Sequence, residues 1–264
     1  MEIIGYLAAI LIGVVLGLIG GGGSILTVPL LVYLFGINPV TATSYSLFIV
    51  GLTSTVGSIH YFRMGLVNIK TAFLFGIPSI IAVFITRAYI LPAIPYELIT
   101  IGTFIVTKDI FLMLLFAMLM IGASYNMIKK SNINSILDEN QKWANLKIAL
   151  KGIMVGTITG LVGAGGGFLI IPALVLLRKL PMKEAVGTSL LIIASNSLIG
   201  FLGKSKEIVL DWNLLFMIAV FAIFGIFIGT FISKKIDGAK LKPAFGWFIL
   251  FMGVYIILKE TILK

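Results

Sequence analysis

Long apolar segments alternate with short polar loops along almost the whole chain. A helix rises about 1.5 Å per residue, so a segment of about 20 apolar residues crosses the ~30 Å hydrocarbon layer of a membrane. The pattern therefore predicts an all-α polytopic membrane protein. The apolar segments are Ile3–Ile19, Ile25–Phe35, Thr41–Tyr61, Val67–Arg87, Ile110–Ile128, Leu146–Leu161, Phe168–Leu177, Ala185–Leu202, Trp212–Ile232 and Leu241–Leu258, with an apolar connection at Leu91–Val106 that contains Pro92 and Pro95.

Two clusters of glycine interrupt this pattern at equivalent places. The first is Gly17–Pro29, with the sequence GLIGGGGSILTVP, and the second is Gly160–Pro172, with the sequence GLVGAGGGFLIIP. Glycine has no Cβ, so each cluster predicts a break in a helix with exposed backbone N–H groups. Such backbone is tolerated within a membrane only where it is buried in protein or lines a wet cavity.

The two clusters belong to an internal repeat that aligns the halves of the chain without a gap. Gly17 corresponds to Gly160, Pro29 to Pro172, Ser46 to Ser189 and Ser54 to Ser197. A repeat of this kind fixes the architecture. We expect an N-terminal transmembrane repeat at residues 1–128, a cytoplasmic linker at 129–145 and a C-terminal transmembrane repeat at 146–264.

The distribution of lysine indicates how the repeats are oriented. Residues 129–151 and 234–242 hold most of the lysine, which favours a cytoplasmic position for both loops. If the short segments after the glycine clusters count as crossings, each half has five segments and the halves are inverted. If those segments are re-entrant, each half has four crossings and the two loops lie on opposite faces. We favour two inverted-topology repeats of about four to five membrane segments each, and the choice between crossing and re-entrant segments stays open.

Composition supports a membrane protein and excludes several other classes. The chain is 59% hydrophobic and 11% charged with a mean hydropathy of +1.15, far from an ordinary soluble domain. Its net charge of +10 fits cytoplasmic loops better than nucleic-acid binding, because no basic face with interleaved aromatics is present. With no cysteine and one histidine, we expect no metal centre, no cofactor and no enzyme activity. The first segment lacks a basic leader, so we expect it to be a retained helix.

Inverted repeats with paired broken segments are typical of secondary transporters, which bind substrate where the breaks meet. The N–H groups at the start of the following helix favour an anion, and nearby hydroxyls can donate further hydrogen bonds. The alternatives are that glycine only allows close helix packing and that the hydroxyls bond to their own helices. The candidate substrate-binding residues are Gly20, Gly21, Gly22, Gly23, Ser24, Thr43, Ser44, Ser46, Gly163, Gly165, Gly166, Gly167, Thr188, Ser189, Asn196 and Ser197.

The charged residues fall at segment ends or in loops. His60 and Arg63 are candidates for proton or anion entry, although an interfacial histidine is the simpler interpretation. Arg87 also ends an apolar segment, and snorkelling to the interface explains such a position. No carboxylate is predicted at mid-membrane, which argues against a carboxylate proton relay.

The doubled glycine motif resembles the TauE/SafE family, the sulfite-exporter-like anion permeases. Ala185–Leu190, with the sequence AVGTSL, matches a second landmark of that family, whereas the first half has Thr43-Ser44-Tyr45-Ser46 in the corresponding place. The resemblance covers nearly the whole chain. It implies a carrier in the cytoplasmic membrane for sulfite, organosulfonates or related sulfur oxyanions.

Together these observations predict a secondary transporter of small anions that works by alternating access in the plasma membrane. The expected partners are the anion and the lipid bilayer, with no nucleic acid, and homodimerisation stays open. An anion channel of the same fold is the alternative, followed by a membrane enzyme or a scaffold subunit.

Overall fold

The computed structural model describes residues 2–101, 104–128, 141–163, 165–178, 180–203, 210–233 and 238–261. The described helices confirm the predicted all-α polytopic class. They are α1 (Glu2–Ile19), α2 (Ser24–Tyr33), α3 (Pro39–Arg63), α4 (Ile69–Ile85), α5 (Leu91–Ala93), α6 (Lys108–Ile128), α7 (Gln141–Val162), α8 (Gly167–Arg178), α9 (Met182–Leu202), α10 (Trp212–Ser233) and α11 (Gly238–Thr261).

Five helices in the described part of the chain are long and apolar enough to cross a membrane. One of them is continuous through a π-helical turn at Thr86–Ile90, which joins α4 to the short α5. The other four are α3, α6, α9 and α10. Two further apolar helices, Ile4–Ile19 and Ser24–Tyr33, are shorter.

The connection Leu91–Val106 differs from the simple apolar link that the sequence predicts. It contains α5 and then two antiparallel strands, β1 (Glu97–Ile101) and β2 (Phe104–Thr107), in which Ile101 pairs with Phe104. Residues of this connection are rich in Ile, Thr, Val and Phe, which favour strands once Pro95 has ended the helical conformation.

Each glycine cluster bends the chain into a helical hairpin. A Cβ placed on Gly23 would fall 2.3 Å from the carbonyl oxygen of Ile12, and Gly5 lies against the ring of Phe35, so α2 returns alongside α1. In the same way Gly166 lies against Thr159 of α7. With 10 residues, α2 is only about 15 Å long. The Gly5–Phe35 contact shows that α2 returns the chain to the end of the bundle where α1 begins. Helix α8 contacts α7 beside the second break.

The helices of the two halves pair crosswise. Helix α1 packs along α10, and α7, which corresponds to α1 in the repeat, packs along α4. The individual contacts correspond: Gly13 meets Ala222, and Gly156 meets Ser79. In each case the first helix of one half packs against a helix of the other half.

The central pair, α3 and α9, shows how the halves are related. These helices occupy corresponding places in the repeat and contact each other at Gly51–Leu198 and at Gly57–Leu190. The position in α9 falls as the position in α3 rises, so the two helices are antiparallel. Corresponding helices that run in opposite directions are the geometry of an inverted-topology repeat.

We call the end of the bundle where α3 begins the first end, and the end where α3 finishes the second end. Asn38 Nδ2 donates to Asp109 Oδ2 at 2.8 Å, which places the start of α6 at the first end. Tyr61 and Ser233 lie within 3.3 Å of each other through their hydroxyl oxygens, which places the end of α10 at the second end. Both helices therefore run toward the second end, where the chain enters the two lysine-bearing loops.

Residues 129–140 and 234–237 of those loops lie outside the described residues, so their cytoplasmic position stays a prediction. The domain boundaries after residues 128 and 145 also stay predictions. Helix α7 already begins at Gln141, inside the predicted linker.

Candidate functional site

The two glycine breaks are in direct contact at the centre of the protein. Gly20 and Gly163 adopt left-handed backbone conformations with φ values of +79° and +73°, which end α1 and α7. A Cβ on Gly21 would fall 2.3 Å from the carbonyl carbon of Gly167, so any side chain there would overlap the opposite break. Glycine is required at this junction for both its backbone conformation and its lack of a side chain.

Each break is lined by the central helix of the opposite half. A Cβ on Gly163 would fall 2.4 Å from Cβ of Thr43 in α3, and a Cβ on Gly20 would fall 2.8 Å from Val186 in α9. Val186 corresponds to Thr43 in the repeat, so the two arrangements are equivalent. The hydroxyl-bearing start of α3 therefore belongs to the second break.

Arg87 is the one predicted feature of this region that the structure overturns. Its side chain is only 1% exposed, so the interpretation of Arg87 as a snorkelling residue is wrong. Nη1 donates to Thr43 Oγ1 at 2.8 Å, and Nη2 donates to Ser44 Oγ at 2.5 Å. A longer contact of 3.5 Å joins Nη1 to the carbonyl oxygen of Gly160. The guanidinium therefore lies beside the second glycine break.

This guanidinium is incompletely paired. Its Nε is buried and has no partner, and no carboxylate of the described residues forms an ion pair with it. A buried charge without a counter-ion is unfavourable, and a charged group at membrane depth is by default a candidate functional residue. The π-helical turn after α4, which packs against α3 and α7, thus holds a buried positive charge that has no carboxylate partner in the described part of the chain.

The first break has no equivalent charge. The residue that corresponds to Arg87 in the repeat is Thr230, whose hydroxyl donates to the carbonyl oxygen of Phe227. There the hydroxyl of Tyr61 donates instead to the carbonyl oxygen of Gly17 at 3.2 Å. The two glycine breaks have equivalent backbone arrangements, but only the second has a charged side chain beside it among the described residues.

Several buried polar atoms near the centre have no partner within the described part of the chain. The amide of Asn196 donates to Ser79 Oγ at 2.7 Å, while its Oδ1 atom bonds to nothing. Ser197 Oγ would lie 2.8 Å from a Cβ on Gly165, so this hydroxyl borders the second break. Buried polar atoms are normally satisfied, and these can serve a ligand or ordered water. The unpartnered hydroxyls are those of Ser46, Ser54, Thr86, Thr159 and Ser197.

Other candidate hydroxyls already have bonds within the protein. Ser24 donates to Gly21 O at 2.7 Å, and Ser189 donates to Val186 O at 2.8 Å. The oxygen of Thr188 accepts a bond from the backbone N–H of Asn68, which fastens the start of α4. These bonds give the three hydroxyls partners within the protein, and their role in substrate binding stays a prediction. Gly22 is buried in the turn of the first glycine break, between α1 and α2.

His60 and Arg63 lie apart from this centre, at the second end. Arg63 is exposed, while His60 is half-buried with an unpartnered Nε2. Their prediction as entry residues stays a prediction. No group of three potential metal ligands occurs in the described part of the chain.

A signal for Arg87 was present in the sequence. The apolar segment continues beyond it through Ala88-Tyr89-Ile90-Leu91, so the arginine lies inside the segment and not at its end. In the structure it lies within the π-helical turn, a feature that is common at functional sites.

Comparison with known proteins gives a consistent result. A family model described as "Sulfite exporter TauE/SafE" matches residues 5–256. A "Probable membrane transporter protein" of Xylella fastidiosa (strain 9a5c) is 30% identical over 252 residues, covering 94% of this chain and 91% of the relative. The "Probable membrane transporter protein YunE" of Bacillus subtilis is 28% identical over 261 residues, covering 93% of each.

No solved structure matches the chain. The family match covers almost every described helix, including both breaks and Arg87. This multi-pass membrane protein therefore belongs to the sulfite exporter TauE/SafE family of membrane transporters.

Proposed function

We propose that the protein is a secondary transporter of small anions, with sulfite, organosulfonates or related sulfur oxyanions as substrates, in the cytoplasmic membrane. The observation that carries this proposal is the buried guanidinium of Arg87 beside the second of two touching glycine breaks. A guanidinium, hydroxyl groups and backbone N–H groups are all donors, and oxyanions are acceptors. The family description names sulfite, which agrees with this donor-rich chemistry.

The contact between the breaks favours a carrier over a channel. Gly21 and Gly167 meet backbone to backbone, so the centre is closed by the groups that would have to line a continuous pore. Because α3 and α9 are related by inversion, exchanging the arrangements of the two halves would give a second state that opens to the opposite side. In a carrier of this kind, the breaks separate on one side at a time.

The experiment is uptake of radiolabelled sulfite into liposomes containing the purified protein, with protein-free liposomes as the control. Sulfate, thiosulfate and a short sulfonate are added as competitors, with and without a pH gradient. We expect saturable sulfite uptake that at least one sulfur anion inhibits. Unitary conductance in planar bilayers would instead indicate a channel, and absence of flux for every anion would refute the proposed substrate class.

A further inference from the structure

Among the described residues that contact the two glycine breaks, Arg87 carries the one fixed positive charge. Arginine stays protonated in proteins, so Arg87 contributes a full charge at its buried position. The equivalent residue in the other half, Thr230, is neutral. Lys108 is the next basic residue after Arg87 along the chain, and it lies at the first end of the bundle. Its Nζ donates to the carbonyl oxygens of Leu91 and Ile94, and Asp109 follows it in the sequence.

The geometry of the guanidinium shows what it lacks. Thr43 Oγ1 accepts from Arg87 and donates to the carbonyl oxygen of Val40 at 2.7 Å, so its one donor is already used. Ser44 accepts from Arg87 but donates to no acceptor within the described part of the chain. Arg87 Nε is likewise without a partner there. The site thus offers one cationic N–H and one hydroxyl, both as donors, to an incoming group.

Charge balance then limits which anions fit. At a buried site of low dielectric, one negative charge neutralises the guanidinium, whereas a second negative charge remains uncompensated and loses its hydration. We propose that Arg87 makes the transporter selective for charge state: it accepts monoanions such as hydrogen sulfite or an alkanesulfonate and rejects dianions such as sulfate. This inference rests on the proposed anion-transport function and adds the charge of the substrate to it.

Methanesulfonate and sulfate give a matched test, because a methyl group in one replaces a charged oxygen in the other. Both are added as competitors of radiolabelled sulfite uptake into liposomes at one fixed pH. We expect methanesulfonate to compete at least about tenfold better than sulfate, equivalent to about 1.4 kcal/mol. Equal competition by sulfate, with sulfite uptake intact, would overturn the charge selection and leave anion transport standing. Loss of all uptake would refute the proposed function itself.

Variants connect the preference with the residue. Arg87→Lys keeps the charge and should keep the order of the two competitors, while Arg87→Gln should lower uptake at least about tenfold and remove the order. Lys70→Gln is the control, since it removes an exposed positive charge from the same helix and should change neither result. Each variant is first checked for a monodisperse peak in detergent. An unchanged preference in a well-folded Arg87→Gln protein would overturn the role of Arg87.

Discussion

At the scale of single residues, the glycines of the breaks are specified by their neighbours and not by flexibility. Gly165 has a φ of +65°, and a Cβ there would lie 2.8 Å from Ser197 Oγ and 3.0 Å from Val50. Both the backbone conformation and the lack of space make any other residue unfavourable at this position. Gly76 in α4 differs, because the atom closest to its Cβ would be 3.7 Å away, in Ile192.

This contrast predicts the effect of adding one methyl group. Gly165→Ala should sharply reduce anion uptake, because the left-handed conformation costs roughly 1–2 kcal/mol for a residue with a Cβ and Ser197 must also move. Gly76→Ala should insert and transport like the unmodified protein. Uptake by both variants is measured at equal protein density in liposomes. Normal uptake by Gly165→Ala would remove the second break from the binding site.

The limits of sequence reasoning are also clearest for individual residues. Hydropathy and repeat spacing predicted the glycine breaks and placed Thr43 and Ser44 near a binding centre. They could not show that the side chain of Arg87 is buried beside the second break, because its direction is decided by how α4 and the following π-helical turn pack against α7 and α9. The sequence also indicated Thr188 as a candidate binding residue, and only the fold shows that its hydroxyl oxygen accepts a hydrogen bond from the N–H of Asn68.

At the scale of elements, two hydrogen bonds occur at equivalent positions of the repeat. Each joins the backbone N–H of the residue before a helix to a hydroxyl on a helix of the other half. Thr188 Oγ1 accepts from the N–H of Asn68 before α4, and the hydroxyl of Tyr45 accepts from the N–H of Asp211 before α10. Tyr45 corresponds to Thr188 in the repeat, and Asn68 corresponds to Asp211. The two halves therefore keep the position of an acceptor oxygen while changing the residue that carries it.

Removal of one of these bonds should loosen the start of a helix. Tyr45→Phe leaves the ring in place but takes away the acceptor for the N–H of Asp211, which is an exposed residue. Because water can then accept from this N–H, the expected cost is the net value of one hydrogen bond, about 0.5–1.5 kcal/mol. We expect a lower unfolding temperature in detergent. Tyr89→Phe, which alters an exposed tyrosine, is the control and should unfold at the original temperature. Equal unfolding temperatures for both variants would show that the bond adds no stability.

Segment lengths show which elements a sequence specifies. The long helices followed directly from uninterrupted apolar runs, but the return of α2 alongside α1 depends on contacts such as Gly23 with Ile12. Hydropathy alone left that choice open, because a short apolar run is compatible with either path. The pairing of β1 with β2 also depended on local contacts that apolarity does not reveal.

At the scale of the whole molecule, the inverted repeat predicts that the two lysine-bearing loops lie on the same side of the membrane, and this can be tested. The chain has no cysteine, so single introduced cysteines report which side of the membrane they face. Ser131→Cys and Asp237→Cys lie in the two lysine-bearing loops, which follow helices that both run toward the second end. Tyr96→Cys is exposed near the first end.

We expect a membrane-impermeant thiol reagent to label Tyr96→Cys in intact cells and the other two only after the membrane is opened, in line with the positive-inside rule. The unmodified chain, which cannot react, is the control. Labelling of positions 131 and 237 from opposite sides would contradict the inverted arrangement. Labelling of both from outside would keep the inversion and reverse the orientation.

The crosswise pairing of α1 with α10 has a consequence for biosynthesis. The two helices approach through glycines, with Gly225 against the carbonyl oxygen of Ile10 and Gly229 against that of Val14. The ribosome synthesises α1 long before α10, so these two contacts can form only after most of the chain has been made. The packing of α1 against α10 is therefore one of the last steps in the assembly of the bundle.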